Sequence, residues 1–390
     1  SRYASAYSGG TWLTADPGCL ADVRSLGFNV IGFANNHTMD YSYGGLEDTL
    51  RYLRGVGFAA VGAGKNLWEA ARPVILETPG GRAAVFALSA TFEDAARAGS
   101  QTESMPGRPG LNPLRVRTVY RVTRARGQVL REAASRIGVN ALRQEHRAQG
   151  FLPPLPEGTM EFGPVLLEEV ETEAQEGRFS RADARDVRRT LEGIRQARAA
   201  CQAVVVMVHS HEIKATSEEE PDFFLEDFAR QCIDAGASAV VGSGTHQVQG
   251  IEIYNGCPIF YCLGNFFFEN DTVAQLPADF LEKYGVSIHA SAQEGLRARA
   301  AQATRSLGAR RAVYQTVLPR FSILEGKCTE LELLPVSLGL DGPAWKKGVP
   351  ELADAAESQE ILDYLNRVSA PYGTRWRLQG NAIVPEEERR

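Results

Sequence analysis

Hydrophobic and polar positions follow two rhythms along the chain, and together they predict an α/β fold. Largely apolar runs, typical of strands that are covered on both faces, occur at Asn29–Ala34, Ala83–Ser89, Val204–Val208 and Ala237–Val241. Segments with the apolar spacing of helices precede or separate these runs, at Cys19–Gly27, Gly45–Gly55 and Pro221–Gly236. Alternation of strand and helix is the pattern of βαβ units, so we expect a largely parallel sheet.

This rhythm breaks between about residues 93 and 200. The segment is rich in arginine, glycine and proline, with helical periodicity at Gly127–Gly138 and at Ser180–Ala200. Long excursions from a compact domain are usually functional or disordered, so we predict a helical, Arg/Pro-rich insertion or lid over the functional edge of the sheet. Its arginines are expected to lie on a solvated helix face, and an anion-binding surface is the alternative.

The rest of residues 1–390 is predicted to complete a single domain. Strands at Gly250–Tyr254 and Pro258–Leu263 flank Asn255-Gly256, the strongest short hairpin signal. Residues 311–338 have the pattern of a second hairpin, which opens a β-rich closing segment at about 311–390. The charged tail from Glu386 is expected to be frayed.

Composition and charge narrow the possible function classes. The 390 residues are 44% hydrophobic and 23% charged, as in an ordinary globular protein with one large core. The formal net charge of −6 gives no electrostatic reason to expect nucleic acid or an anionic membrane as a partner. No apolar run approaches the ~18 residues of a membrane span. The six cysteines lack the spacing of a zinc site and are expected to be reduced core residues. Because reduced cysteines are typical of a reducing compartment, we expect a cytoplasmic protein, of unknown oligomeric state.

Polar residues with metal-binding or proton-transferring side chains follow three of the predicted strands. They are Asn35, Asn36, His37 and Asp40 after the first strand, His209, His211 and Glu212 after the central one, and Ser243 and His246 after the third. The carboxyl ends of parallel strands lie along one edge of a sheet, so these side chains can converge there. Imidazoles, an amide and carboxylates make a plausible mixed nitrogen and oxygen metal site. Structural roles are the alternative: Asp40 could cap the next helix, and His211 and Glu212 could orient a ligand.

Four blocks of the sequence, at residues 27–41, 108–115, 209–212 and 250–266, resemble the CapA family, which is named for capsule poly-γ-glutamate biosynthesis. That family belongs to the calcineurin-like metallo-dependent phosphatase superfamily, and the resemblance covers about residues 15 to 285. It implies a four-layered α/β/β/α sandwich with a metal centre at one sheet edge. By position, Asn36 resembles the metal-binding asparagine of the superfamily and His37 its catalytic histidine. His209 and His246 resemble histidines of the metal centre.

Two departures from the family pattern change the expected metal site. Ser243 stands where the family has a histidine, and the first aspartate and the Asn-Leu-Glu motif of the superfamily are expected upstream of this sequence. A hydroxyl is a poor ligand for a transition metal but acceptable to a hard cation. We therefore expect one divalent ion, Ca²⁺ or Mg²⁺/Mn²⁺, and no organic cofactor. The predicted ligands are Asn36, His209, His246 and Glu212.

Such an ion suits enolate chemistry better than a two-metal hydrolysis. With His37, His211 and His246 as acid and base, the leading hypothesis is a metal-dependent isomerase, a peptide epimerase that inverts a Cα centre. An offshoot of the CapA-like group does this to the C-terminal tryptophan of a ribosomally made lasso-peptide precursor, so a peptide is the expected substrate. Its predicted contacts are Arg108, Arg115, Ser243 and Asn265. The alternatives are a metal-dependent hydrolase of phosphoester or poly-γ-glutamyl substrates and a non-catalytic peptide or polyanion binding protein.

Overall fold

Strands and helices alternate through the computed structural model, which describes residues 2–6, 10–214, 217–269, 272–301, 307–343 and 345–386. The first part contains α1 (Cys19–Ser25), β1 (Val30–Gly32), α2 (Ser42–Gly55), β2 (Ala59–Val61), β3 (Ala63–Gly64), α3 (Leu67–Ala71), β4 (Val74–Thr78) and β5 (Gly81–Ser89). The segment between residues 93 and 200 contains β6 (Gly110–Leu111), β7 (Val116–Thr123), α4 (Arg124–Ile137), α5 (Ala141–Ala148), β8 (Thr159–Phe162), β9 (Val165–Val170), β10 (Gly177–Ala182) and α6 (Ala184–Ala200).

The remaining elements form the second half of the fold. They are β11 (Ala203–Ser210), α7 (Phe223–Asp234), β12 (Ala239–Gly244), β13 (Ile251–Tyr254), β14 (Cys257–Phe260), α8 (Ala278–Lys283), α9 (Ala292–Arg299), β15 (Gln315–Leu324), β16 (Lys327–Ser337), β17 (Glu351–Leu352), α10 (Ala355–Ser369), β18 (Trp376–Gln379) and β19 (Ala382–Pro385). The predicted closing hairpin is present as β15 and β16. The tail beyond Glu386, predicted to be frayed, lies outside the described residues.

The largest sheet among the described strands has the order β13-β14-β12-β11-β5-β4. β5, β11, β12 and β14 are parallel to one another, and the edge strands β4 and β13 are antiparallel. Val204, Val206 and Val208 of the central strand β11 are buried, as its apolar run predicts. Asn255 and Gly256 both have positive φ, as a tight β13–β14 hairpin requires. The largely parallel sheet and this hairpin are therefore confirmed.

Helices and further strands cover both faces of this sheet. On one face, Ile194 of α6 and Phe228 of α7 share a core with β5, β11, β12 and β14. On the other face, α2 and the parallel pair β1-β2 pack against Val85 of β5. Beside them, α10 and an antiparallel sheet of order β15-β16-β19-β18, with β17 next to β16, pack against β13 and β14. The α/β class is confirmed, and the finer four-layered arrangement stays a prediction.

The segment between residues 93 and 200 is less helical than its sequence indicated. Among its described residues is a four-stranded sheet of order β10-β7-β9-β8, which packs against α4. Arginine and glutamate side chains on neighbouring strands pair with one another, as Arg121 and Glu168 do at 2.9 Å, and this charge hides the apolar alternation of a strand. The predicted second helix is present as α6, but Ile194 places it in the central core and not over the sheet edge.

Candidate active site

A tight turn directly after β1 positions the first polar cluster. Asn35 Oδ1 accepts a hydrogen bond from His37 N (2.8 Å), and Thr38 Oγ1 donates to Phe33 O (2.7 Å). The Thr38 hydroxyl also accepts from Asn35 N (3.0 Å), and the residue is buried. The polar groups of Asn35 and Thr38 are thus used to hold the turn. Asn36 and His37 are left to face the ends of the central strands.

Five polar side chains form a continuous hydrogen-bonded chain across the three strand ends. His37 Nδ1 lies 2.8 Å from Asp40 Oδ2, and Asn36 Nδ2 lies 3.2 Å from His37 Nε2. Asn36 Oδ1 is 3.0 Å from His209 Nε2, and His209 Nδ1 is 3.1 Å from Ser243 Oγ. The parallel register of β11 and β12 places His209 directly beside Ser243. The predicted convergence of these residues at one edge of the sheet is therefore present.

The donors and acceptors of this chain can be assigned from one end to the other. Ionised Asp40 only accepts, so His37 donates through Nδ1–H and keeps a lone pair on Nε2. The amide nitrogen of Asn36 donates to that lone pair, so its oxygen accepts from His209 Nε2–H. Neutral His209 then accepts at Nδ1 from the hydroxyl of Ser243. The neighbours of His37 and His209 thus select one neutral tautomer of each ring.

The start of the described chain closes over Asp40, a contact that no sequence motif indicated. Leu13 N donates to Asp40 Oδ2 (2.9 Å), and Ala6 N donates to Asp40 O (2.8 Å). Trp12 is buried beside them, and its Nε1 donates to Ala6 O (2.6 Å). Asp40 itself is 3% exposed, and α2 begins without a side-chain cap. The alternative that Asp40 is a helix cap is wrong, because its carboxylate orients His37.

His211 and His246 form the second half of the site. The ring centroid of His211 lies 5.0 Å from that of His209 and 5.4 Å from that of His246. His246 Nδ1 is 2.9 Å from Asn265 Oδ1, while the Asn265 amide nitrogen donates to Val313 O (3.0 Å). Because the Asn265 oxygen must accept, His246 donates through Nδ1 and keeps a lone pair on Nε2. Asn265, predicted to bind substrate, is thus a positioning residue for His246.

Two glycines let the end of β12 come close enough to its neighbours to present His246. A Cβ at Gly242 would lie 1.9 Å from Tyr261 O, and one at Gly244 would lie 2.1 Å from Ser210 O. Gly244 also has a φ of 132°, which L side chains rarely adopt. His246 itself has a φ of 63°, a conformation that is uncommon for residues other than glycine.

Desolvation keeps the imidazoles of His209, His211 and His246 unprotonated. Burial, followed by charge repulsion from the nearby rings of His211, His246 and His37, lowers the pKa of His209 to about 3. Burial, and then His246 and His37, lower the pKa of His211 to about 4. Burial also lowers the pKa of His246, against the opposing effect of the Asn265 hydrogen bond. At neutral pH these rings can accept a proton or bind a metal ion.

Glu212 is held beside the site and not within it. Its Oε2 accepts hydrogen bonds from Ser210 Oγ (2.7 Å) and Thr91 Oγ1 (2.8 Å). Thr91 Oγ1 in turn accepts from His211 N (2.8 Å). Thr91, which the sequence did not single out, therefore fixes the strand end that carries His211, and the Glu212 carboxylate serves the same local network.

The two arginines predicted to bind substrate have other partners. Arg115 forms a two-bond ion pair with the fully buried carboxylate of Asp186, at 2.7 and 2.8 Å. Arg108 Nε donates to Arg97 O (2.9 Å). In the described part of the chain, no hydrogen bond or ion pair joins either arginine to the histidines. The structure assigns Arg115 a role in stability, and a substrate contact by Arg108 stays a prediction.

The donors present fit a divalent ion only in part. Asn36 Oδ1 and His209 Nε2 could both face one ion, but the ion would replace the 3.0 Å hydrogen bond between them and would require His209 to carry its proton on Nδ1 instead of Nε2. Within the described residues, however, no group of three or more His, Cys, Asp or Glu side chains could hold a metal ion. The predicted four-ligand set is not assembled, because Glu212 binds Ser210 and Thr91.

The fold and the site together define an α/β protein with a histidine-rich site at the carboxyl ends of its central strands. Comparison with known proteins agrees with the predicted resemblance. The sequence profile of the family described as "Bacterial capsule synthesis protein PGA_cap" matches residues 2–270. The chain belongs to this family.

Similar proteins differ in how much of their length the chain covers. The "Uncharacterized protein y4sH" of Sinorhizobium fredii is 32% identical over 374 residues, which are 94% of this chain and 78% of that protein. The "Capsule biosynthesis protein CapA" of Bacillus anthracis is 25% identical over 257 residues, 66% of this chain and 44% of that protein. The "PGA biosynthesis protein CapA" of Bacillus subtilis is 25% identical over 247 residues, 63% and 44% of the two chains.

No helix among the described residues combines the length and the apolar character needed to cross a bilayer.

Proposed function

We propose that the chain is a peptide epimerase that inverts a Cα centre by acid and base transfer. One imidazole removes the Cα proton through its Nε2 lone pair and becomes an imidazolium, while the bonding electrons move into the neighbouring carbonyl as an enolate. The second ring, on the opposite face, starts as an imidazolium and returns a proton to Cα, which inverts the configuration; His37 can hold this charge because Asp40 Oδ2 lies 2.8 Å from its Nδ1. His37 and His246 are assigned these two roles, with His211 as a neighbour able to relay a proton to His246.

The main observation behind this proposal is that His37 and His246 are each held at Nδ1 by a partner of their own, which leaves the lone pair on Nε2. Asp40 holds His37 at Nδ1, and Asn265 holds His246 at Nδ1. The two partners come from different parts of the chain, so the two rings are held independently, as a two-base inversion requires.

A divalent ion, Ca²⁺ or Mg²⁺/Mn²⁺, is part of the proposal. Asn36 and His209 are the residues that would hold it, and when bound it would withdraw charge from the carbonyl beside the reacting Cα. The proton transfers assigned to His37 and His246 use only the side chains of the chain itself. Titration of the protein with each of the three ions by calorimetry, repeated on Asn36→Ala, tests this assignment apart from any activity.

Deuterium exchange tests the epimerase. The chain is incubated in D₂O with a synthetic peptide that ends in tryptophan, and one deuterium is expected at the C-terminal Cα together with inversion. His37→Gln and His246→Gln should each slow inversion by at least ~10²-fold, while each variant still exchanges one of the two peptide isomers, because one base remains. His289→Gln, a change at an exposed histidine outside the site, should behave as wild type. Absence of deuterium with Ca²⁺, Mg²⁺ and Mn²⁺ each added would contradict the proposal.

A metal-dependent hydrolase of phosphoester or poly-γ-glutamyl substrates is the second candidate. It is favoured by Asn36 Oδ1 and His209 Nε2, which could both face one ion, and by relatives whose names refer to capsule and PGA biosynthesis. Release of phosphate from an aryl phosphate, or of glutamate from a γ-linked oligomer, without Cα exchange would establish it. A chain that binds peptide or polyanion but shows neither reaction would be the third candidate, a non-catalytic binding protein.

A further inference from the structure

The guanidinium of Arg310 lies beside the turn that carries His246. Arg310 Nη2 donates to Gln247 Oε1 at 2.8 Å, and Gln247 directly follows His246 in the sequence. Gln247 is 1% exposed, so packing fixes the side chain that Arg310 contacts. Arg310 Nη1 forms an ion pair with the carboxylate of Glu218, which belongs to the loop between β11 and α7. The guanidinium is thus held between the turn of His246 and the loop that follows the central strand.

The backbone that follows Arg310 reaches the same histidine by a second route. Arg310 O accepts a hydrogen bond from Val313 N (3.0 Å), and Val313 O accepts one from the side-chain nitrogen of Asn265 (3.0 Å). Asn265 in turn holds His246 at Nδ1 (2.9 Å). The side chain of Arg310 and the turn that it begins therefore contact both a neighbour and a partner of His246. These contacts place a cation at the edge of the candidate active site.

The electrostatics of His246 agree with this placement. Burial has the largest effect on the pKa of His246 and lowers it, and the charge of Glu218 is among the effects that raise it. The carboxylate that pairs with Arg310 is thus close enough to act on the imidazole through space.

Arg310 has donors and exposure left for a ligand. A guanidinium carries five N–H donors in a planar fork that matches a carboxylate. Within the described residues, its side chain makes the bonds to Gln247 and Glu218 and no others. The side chains of Arg310 and Glu218 are 42% and 38% exposed, so solvent reaches this ion pair. Because an exposed ion pair contributes little to stability, a carboxylate that enters the site can replace Glu218 at small cost.

Two other arginines of the fold are less free to exchange partners. Arg115 pairs with the fully buried carboxylate of Asp186, and Arg178 pairs with the fully buried carboxylate of Asp222. Removal of either arginine from its partner would leave a buried charge without compensation, which is strongly unfavourable. Arg310 therefore meets the requirement for a substrate carboxylate that Arg115 does not.

We propose that Arg310 recognises the terminal carboxylate of the peptide substrate, and that Glu218 occupies the guanidinium until the peptide binds. The carboxylate of Glu218 stands in for that of the peptide, because both accept hydrogen bonds from the same planar fork. The terminal carboxylate is bonded directly to the Cα of the last residue, so its binding at Arg310 selects that residue for proton transfer. This inference rests on the proposed function, because it assigns how the same site recognises its substrate.

Two peptides that differ in one group test the inference without turnover. The peptide that ends in tryptophan, labelled with fluorescein at its amino end, and the same peptide with a terminal carboxamide are titrated with the full chain, and binding is followed by fluorescence anisotropy. We expect the wild type to bind the acid at least about tenfold more tightly than the amide, because hydrogen bonds to a charged group are the stronger ones. In Arg310→Gln the affinity for the acid should fall to that of the amide, while the affinity for the amide stays as in the wild type.

Arg311→Gln is the matched control, because Arg311 is the next residue and pairs with Glu360 at 2.8 Å. Its side chain is 47% exposed, and the variant should keep the preference for the acid. Glu218→Gln removes the competing carboxylate, so it should tighten binding of the acid by about threefold and leave the amide unchanged. A purely structural role of the Arg310 ion pair would weaken binding of both peptides in both variants. Matching circular dichroism and thermal unfolding would show that all three variants are folded.

Several results would overturn the inference. They are equal affinity of the wild type for the acid and the amide, a preference for the acid that survives in Arg310→Gln, and no binding of the acid by the wild type. An amide peptide with an added aspartate that binds as tightly as the acid would also do so, because the recognised carboxylate would then belong to a side chain. Binding that depends on the carboxylate but is not followed by Cα exchange would contradict only the proposed function. Exchange at low peptide concentration that is as fast in Arg310→Gln as in the wild type would contradict only the role of Arg310.

Discussion

At the residue scale, the buried carboxylate of Asp40 decides which nitrogen of His37 is available. In Asp40→Asn the amide oxygen can still accept from Leu13 N and from His37 Nδ1–H, which both bond Oδ2, but the negative charge that would stabilise the imidazolium of His37 is lost. We expect the rate of Cα deuterium exchange to fall by about 10²-fold, with peptide affinity unchanged.

Asp363→Asn is the matched control for this prediction, because Asp363 is exposed on α10 and lies outside the site. An exchange rate in Asp40→Asn equal to that of the control would show that the charge of Asp40 has no part in the reaction. A fall in peptide affinity with an unchanged rate would instead assign Asp40 to the binding surface.

The residues whose convergence the sequence predicted are those with a local signal. Asn36, His37, His209 and His246 each follow an apolar run, and a polar side chain in that place is hard to explain by packing. Their partners carry no such signal. The pairing of Asp40 with Leu13, and of Thr91 with His211 and Glu212, joins parts of the chain up to about 120 residues apart, so it depends on the fold and not on spacing.

At the element scale, β10 of the inserted segment is tied to the loop beside the site by one arginine. Arg178 makes two bonds of 2.8 Å to Asp222, which is fully buried at the start of α7, and one of 2.9 Å to Ile213 O. Arg178→Met would leave this carboxylate buried without its charged partner. We expect a loss of about 3 kcal/mol in the free energy of unfolding in urea, and slower Cα exchange in the assay of the proposed function because the loop after His211 loses its anchor.

Arg185→Met is the control for the element prediction. Its side chain is 74% exposed and pairs with Asp183 at 3.2 Å, so we expect a change within ~0.5 kcal/mol. Equal unfolding free energies for the two variants would mean that the inserted sheet does not stabilise this part of the fold.

The elements differ in how far their sequences reveal them. β11 was predictable because its core neighbours demand apolar side chains on both faces. The sheet β10-β7-β9-β8 was not, because ion pairs within it and with α5 involve side chains that look like a solvated helix surface. A regular period of apolar residues arises where one face of an element is buried. A sheet that is stabilised by ion pairs has fewer apolar residues on its faces, so its sequence shows little of this period.

At the scale of the whole molecule, apolar packing stabilises the central sheet and ion pairs stabilise the sheet β10-β7-β9-β8. Acid should therefore destabilise the second sheet before the first. The central sheet is buried between apolar cores, whereas Glu161 of β8 is 5% exposed and bound by Arg147 at 2.7 Å and Arg143 at 2.8 Å. The Arg147 hydrogen bond, followed by that of Arg143, holds the pKa of Glu161 below its usual range. The stability from this pair is therefore complete above the unfolded pKa of about 4.3 and is lost as the pH falls through the lower folded value.

Glu161→Gln should destabilise the chain by about 2 kcal/mol at pH 7, and this difference from wild type should shrink as the pH is lowered below about 4. Glu132→Gln, at an exposed pair with Arg136, should cost less than ~1 kcal/mol. Hydrogen exchange by mass spectrometry, corrected for the intrinsic pH dependence of amide exchange, locates the effect. We expect protection in wild type to be lost first in β7, β8 and β9 and last in β11, because protonated Glu161 no longer offsets two arginines while the apolar core does not titrate. Simultaneous loss of protection in all four strands would mean that the inserted sheet and the central sheet unfold as one unit.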